Sequence, residues 1–92
     1  MKYVRTYSSS IYEIDEEAKK IRRLHGIKDP TPRQGNDGDW KDYKEIIIAL
    51  NKQLIIVWGN GTNANGEAIM KTTATSSIEA IGDSLNAVAI TN

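Results

Sequence analysis

The stretch KEIIIALNKQLIIVW, residues 44–58, decides the fold class of this chain. It holds two apolar runs, 46–50 and 54–58, which are separated by a polar Asn-Lys-Gln segment. Isoleucine and valine are β-branched and pack well on a pleated surface, so both runs predict strands. The second run predicts a central strand covered on both faces, because it contains no polar residue. A helix over 40–50 with Asp39 as its N-cap is the second interpretation of the first run.

Extended segments also lie upstream and downstream of this stretch. Upstream, residues 2–7 and 10–14 read as one extended segment that three serines interrupt, as at a bulge or an edge strand. Downstream, the Gly- and Asn-rich segment 59–67 predicts a turn. After that turn, strands are predicted at 68–75, 77–81 and 86–91. A tight turn at 82–84 precedes the last of them. A helix over 76–88 is the alternative, although Gly82 weakens its middle.

Residues 11–24 fit either a hairpin or a helix. As a hairpin, 11–14 and 20–24 are strands joined by a turn in which Asp15 occupies the first position. As a helix, Asp15 is the N-cap and Gly26 the stop signal. Local rules favour the helix, whereas the Tyr-rich β-like segment before it favours the hairpin, which we prefer.

Length, spacing and turn chemistry together predict the architecture. Ninety-two residues suffice for one domain and are too few for two cores. Short strands with turn residues between them indicate a small barrel or sandwich. We therefore predict a mainly β fold: a small single-domain antiparallel sheet, barrel- or sandwich-like, of five to seven strands with at most one short helix. A long loop rich in Pro, Gly and Asp is predicted at 26–42, with its far side pinned by Trp40.

Composition and motifs speak against several function classes. The chain has no cysteine, which removes thiol chemistry and disulfides, and a single histidine, His25, near no nucleophile motif. The loop aspartates lack the spacing of a calcium site, and the glycines near Gly61 lack the Lys-Ser/Thr of a phosphate loop. Adjacent Glu16 and Glu17 show no sign of burial. We therefore predict no enzyme, no cofactor and no metal site.

The strongest positive feature is a basic group, with Lys19, Lys20, Arg22 and Arg23 inside five positions. On a strand, alternate side chains share a face, and tyrosines on a neighbouring strand make this an Arg/Tyr surface. Such surfaces serve protein partners or single-stranded nucleic acid. A solvated face balanced by nearby glutamates explains the group equally well. The predicted partner-binding residues, with the loop-end tryptophan included, are Arg5, Tyr7, Tyr12, Lys20, Arg22, Arg23, Arg33 and Trp40.

The function that follows is a non-enzymatic protein-interaction module. The alternative is a nucleic-acid-binding domain that uses the basic strand, although twelve basic and twelve acidic residues give no net charge. Base rates for small cysteine-free chains add the expectation of a phage or mobile-element product that binds a host protein. We expect a cytoplasmic location and no membrane partner, because no apolar run has the length of a span or a signal peptide. Homo-oligomerisation through an exposed strand edge is a further expectation, since residues 46–92 carry few charges.

Overall fold

Antiparallel strands make up most of the chain in the computed structural model, which describes residues 1–24 and 40–88. The described strands form one seven-stranded sheet in the order β4-β3-β2-β1-β7-β6-β5. The predicted mainly β fold is confirmed, and its helical content within the described ranges is one 3₁₀ turn. The elements are β1 (Lys2–Thr6), β2 (Ile11–Asp15), β3 (Lys20–Leu24), β4 (Lys41–Asp42), β5 (Glu45–Ile47), β6 (Gln53–Thr62), β7 (Ala68–Gly82) and a 3₁₀ helix (Asn86–Val88).

The hairpin interpretation of residues 11–24 is confirmed. Strands β2 and β3 pair from Ile11 opposite Leu24 to Asp15 opposite Lys20. The Asp15 carboxylate accepts a hydrogen bond from the backbone N–H of Ala18 at 3.1 Å, which closes the turn as an Asx-type bond does. Lys19 completes the turn with a φ of 53°.

The first strand was predicted too long. Residues 2–14 are not one interrupted segment, because β1 and β2 form a second hairpin with Arg5 opposite Ile11. The three serines lie in its turn, where Ser9 has a φ of 69° and donates its N–H to the Thr6 carbonyl. A turn satisfies these backbone groups locally, whereas a bulge would keep the two halves in one strand.

The second half of the sheet is a long hairpin of β6 and β7. The central strand at 54–58 is confirmed, since β5 and β7 flank it, but Ile55 and Val57 are half-buried rather than covered on both faces. The turn predicted at 59–67 is shorter, because β6 runs on to Thr62. The strands predicted at 68–75 and 77–81 are one continuous strand, and the helix alternative over 76–88 is wrong.

The segment around Tyr43 carries the chain from one edge of the sheet to the other. Tyr43 donates its backbone N–H to the Lys19 carbonyl beside β3, and Lys44 donates to the Val57 carbonyl of β6. Strands β4 and β5 lie on either side of this crossing, so the helix alternative over 40–50 is wrong. The sheet curls back on itself without closing into a barrel, because β4 and β5 do not pair with each other in the described ladders.

Two apolar clusters lie on opposite faces of the first half of the sheet. The larger one fills the inside of the curl, between the two halves, and its buried members are Val4, Ile14, Ile21, Tyr43, Leu54, Ile56 and Ile78. The smaller one packs Ile11 and Leu24 under Val88 of the 3₁₀ helix. Alternation along the strands therefore serves two cores, one per face.

The segment after β7 closes the smaller cluster. The strand predicted at 86–91 is wrong at its start, where Asn86–Val88 form the 3₁₀ helix. The described part of the chain ends there, and the predicted loop at 26–42 likewise falls outside it, apart from its last three residues.

Candidate functional site

An open cleft of about 340 Å³ lies between the two halves of the curled sheet. Residues from five strands line it, so its shape depends on the curl and not on one hairpin. Two aromatic rings, three cations and two isoleucines form most of its wall; the described lining residues are Tyr12, Ile21, Arg22, Arg23, Lys41, Ile56, Trp58 and Thr73.

Strand register places the first group of lining residues. Tyr12 of β2 lies directly opposite Arg23 of β3, and opposite residues of an antiparallel pair project from the same face. That face also holds Ile14 and Ile21 of the larger core. The cleft is therefore the polar continuation of the apolar core along β2 and β3.

The opposite wall carries the bulkiest side chain of the cleft, Trp58. Its indole Nε1 donates a hydrogen bond of 2.7 Å to the Thr73 hydroxyl on β7. This bond satisfies the only polar atom of the indole within the protein and fixes the ring across the strand pair. The flat face of a held indole is suited to an apolar or planar group of a ligand.

A carboxylate outside the cleft wall positions Arg22. The Glu13 carboxylate accepts a hydrogen bond of 2.7 Å from Arg22 Nε and one of 2.6 Å from the Tyr3 hydroxyl. The Glu13 side chain is only 12% exposed. The hydrogen bond to Glu13 raises the pKa of Tyr3, and burial and the Glu13 charge act in the same direction. The Arg22 guanidinium also lies 4.3 Å from the centroid of the Trp40 ring, a cation–π contact. Arg22 is thus held rigidly and its charge is already balanced.

Lys41 of β4 adds a further positive charge to the cleft. Within residues 1–24 and 40–88 it forms no ion pair, and none of the described lining residues is an aspartate or glutamate. The cleft therefore combines aromatic and aliphatic surface with positive charge. Chemically, it suits a ligand group that is negatively charged at one end and apolar at the other.

Three of the eight predicted partner-binding residues are among the lining residues of the cleft. They are Tyr12, Arg22 and Arg23. The Arg22 side chain projects with Glu13 from the opposite face of β2 and β3, where its guanidinium contacts Trp40. The Trp40 side chain is half-buried.

The other four lie elsewhere. Arg5 is 8% exposed, with its guanidinium bonded to Glu79 and to the Val88 carbonyl. Tyr7 is exposed at the β1–β2 turn near Asn51, and Lys20 pairs with Asp42 at 2.8 Å. Arg33 lies outside the described residues.

Sequence reasoning missed five of the described lining residues, and the two with the largest chemical role are Lys41 and Trp58; the others are Ile21, Ile56 and Thr73. Lys41 and Trp58 both lie outside the basic run that drew attention to β3. A signal existed for Trp58, since it is the only large aromatic side chain at the polar end of the apolar run 54–58, where amphipathic rings often lie at an interface. Nothing local marks Lys41, whose position depends on the crossing at Tyr43.

No group of three or more His, Asp or Glu side chains suited to a metal ion occurs within residues 1–24 and 40–88. In the same part of the chain, no helix has the length and apolar character needed to cross a membrane.

Comparison with known proteins leaves the site geometry as the basis for function. No protein-family model, curated protein or solved structure matches this chain. The expected phage or mobile-element origin and the cytoplasmic location therefore stay predictions.

Proposed function

We propose that this chain is a non-enzymatic binding module whose cleft takes an acidic segment of a protein partner. The single observation that carries the proposal is the make-up of the cleft, which joins the Trp58 and Tyr12 rings to cations with no described carboxylate in its lining. Tyrosine, tryptophan and arginine are the residues that most often dominate binding at protein interfaces.

Preorganisation supports this function. A hydrogen bond to Thr73 holds Trp58, the bulkiest side chain of the cleft, in place. Side chains that are fixed before binding lose little conformational entropy when a partner arrives. A peptide bearing an Asp or Glu next to an apolar residue has its carboxylate drawn to Lys41, and the apolar side chain packs on Trp58.

The distribution of charge favours a protein over nucleic acid. Four cations of the described chain are already paired with carboxylates: Lys2, Arg5, Lys20 and Arg22. Affinity for nucleic acid grows with the number of phosphates that free cations neutralise, and single strands need a track of such cations along several nucleotides. Within residues 1–24 and 40–88 the candidate site is one local cleft, and the chain as a whole has zero net charge.

A peptide selection tests the proposal with matched variants. A random peptide library is selected on the immobilised wild-type protein, on Trp58→Ala and on Tyr7→Ala. Tyr7 is the control because it is exposed and lies outside the cleft lining. We expect enrichment of peptides that pair an acidic with an apolar residue on wild type and on Tyr7→Ala, and loss of that enrichment on Trp58→Ala.

A fluorescent single-stranded oligonucleotide is titrated against the same three proteins. Saturable binding that Trp58→Ala abolishes, without any peptide enrichment, would replace the protein partner with nucleic acid. Equal enrichment on all three proteins would remove the cleft from the account.

A further inference from the structure

Strand β7 has an outer edge that no described strand covers along half of its length. Strand β1 pairs with β7 from Ile78 onward, and hydrogen bonds from Tyr7 and Ser8 extend this contact to Ser77 and Ser76. Over 68–75, only β6 pairs with β7 among the described residues. Alternate residues of an antiparallel strand direct their N–H and C=O groups to opposite edges, so this half of β7 presents a row of unpaired groups outward.

The same stretch is exposed on the surface. Every residue from 68 to 74 is exposed, including Ile69 at 41% and Met70 at 49%. Exposed apolar side chains beside an open edge favour pairing with another strand, because pairing removes both the side chains and the backbone groups of the edge from water.

The devices that normally protect an edge are weak here. Residues 68–78 contain no proline and one charge, Lys71. The Lys71 side chain lies against Gly61 of β6, where an added Cβ would overlap its Cε. The one charge of this stretch therefore leans inward over the hairpin and leaves the outer edge unguarded.

We propose that the edge of β7 at 68–75 pairs antiparallel with the same segment of a second copy of this chain. A second copy fits because the edge is nearly uncharged and so offers no electrostatic preference for a charged partner. A two-fold axis at Thr72 places Lys71 opposite Thr73, and an axis at Thr73 places it opposite Thr75. Like charges that lie directly opposite each other destabilise a strand pair. In both registers the Lys71 side chains of the two copies are not directly opposite each other.

The dimer is expected to be weak and concentration-dependent. Stable interfaces bury roughly 1,200–2,000 Å² in total, and an edge contact of two short strand segments falls below that range. The inference does not rest on the proposed function, since pairing at the edge requires no ligand in the cleft.

Sedimentation equilibrium and cysteine cross-linking test this pairing. The chain has no cysteine, so single introduced thiols report only on contacts between copies. Thr72→Cys, Thr73→Cys and Ala74→Cys scan the axis, and Asn60→Cys is the control, because Asn60 is an exposed residue on β6 opposite Met70. Opposite residues at an axis have Cα atoms about 4.5–5.5 Å apart, within the range that a disulfide spans.

We expect the wild-type chain to shift from monomer to dimer as concentration rises. One of the three edge thiols is expected to cross-link many times faster than Cys at the control position. A chain that stays monomeric at the highest soluble concentration would overturn the proposal. A dimer in which the control variant cross-links as fast as every edge variant would overturn it as well.

Discussion

Trp58 and Thr73 join the two strands of the long hairpin through a 2.7 Å hydrogen bond from the indole Nε1 to the threonine hydroxyl, and both side chains line the cleft. The bond spans the ladder between β6 and β7. The bond fixes the Trp58 ring, the largest in the cleft, to the neighbouring strand. A substitution at Thr73 is therefore expected to change the position of the ring without removing it.

Thr73→Val tests this positioning role. Valine keeps the shape of threonine but cannot accept the indole hydrogen bond, whose net worth is about 0.5–1.5 kcal/mol. We expect the affinity for a peptide selected on wild type to fall by roughly threefold to tenfold, as measured by fluorescence titration. Thr72→Val, on an exposed neighbour, is the matched control and is expected to leave the affinity unchanged. Equal losses in both variants would refute the role of the bond.

Glu13 is expected to be the most sensitive ionic residue in the fold. Glu13→Ala removes the carboxylate that accepts hydrogen bonds from Arg22 and Tyr3. The Arg22 Nε–H and the Tyr3 hydroxyl, both half-buried, then lose that hydrogen-bond acceptor. We expect a loss of about 2–4 kcal/mol in the free energy of unfolding, measured by urea denaturation. Glu16→Ala breaks the exposed ion pair with Lys2 and is expected to cost less than about 1 kcal/mol. Similar midpoints for the two variants would contradict this assignment.

Stability is expected to fall at alkaline pH partly through Tyr3. The Glu13 carboxylate raises the pKa of Tyr3 above its ordinary value, because the hydrogen bond and the negative charge favour the neutral phenol. The resulting stabilisation is fully present below about pH 10, the unfolded-state pKa of tyrosine, and is lost as pH rises through the higher folded-state pKa. Burial raises the pKa of Tyr43 in the same direction, so this residue contributes to the same window.

The variant Tyr3→Phe distinguishes the contribution of Tyr3 to the pH dependence of stability from that of Tyr43. The variant is expected to be less stable than wild type at neutral pH and to lose less stability as the pH rises above about 10. Urea denaturation across that pH range measures both effects. An unchanged slope of stability against pH in Tyr3→Phe would show that the Tyr3 phenol is not linked to folding.

Gly82 is expected to be essential for docking of the 3₁₀ helix. A Cβ at this position would overlap the Cβ of Ala87, which follows the start of the 3₁₀ helix. Gly82→Ala is expected to lift the helix from the smaller core and destabilise the fold by about 1–3 kcal/mol. The double variant Gly82→Ala with Ala87→Gly removes the overlap, so it is expected to recover most of that loss. Failure of the second substitution to rescue the first would contradict the close approach.

Local chemistry explains why part of the fold was predictable. The hairpin at 11–24 follows from apolar alternation and from an Asp15 that closes its own turn. The central strand follows from the uninterrupted apolar run before Trp58. In each case, the signal and the structure it specifies lie within a few residues of each other.

The errors have a different physical origin. The Gly- and Asn-rich composition of 59–67 suggested that the turn begins directly after Trp58. Pairing with β7 instead keeps residues 59–62 extended, with Gly59 at a φ of 135° beside a shift in register. Ser76 suggested a break between two strands, but the strand runs through it because one part of β7 pairs with β6 and the next part pairs with β1. Tertiary pairing overrides these local preferences.

The site was partly predictable for the same reason. The basic run with Tyr12 on the neighbouring strand identified one wall of the cleft, since register within a hairpin follows from alternation. The other wall depends on the curl of the sheet and on the crossing at Tyr43, which bring Trp58 and Lys41 to β3 from distant positions. No local sequence pattern predicts that these residues lie close together in the fold.

The most direct measurement for the central claim is a titration followed by nuclear magnetic resonance of the ¹⁵N-labelled protein with a selected acidic peptide. We predict a saturable shift of the Trp58 indole N–H, with amide shifts that cluster at Tyr12, Arg23 and Lys41. An unmoved Trp58 indole, with shifts clustered on the β7 edge or absent altogether, would contradict binding in the cleft.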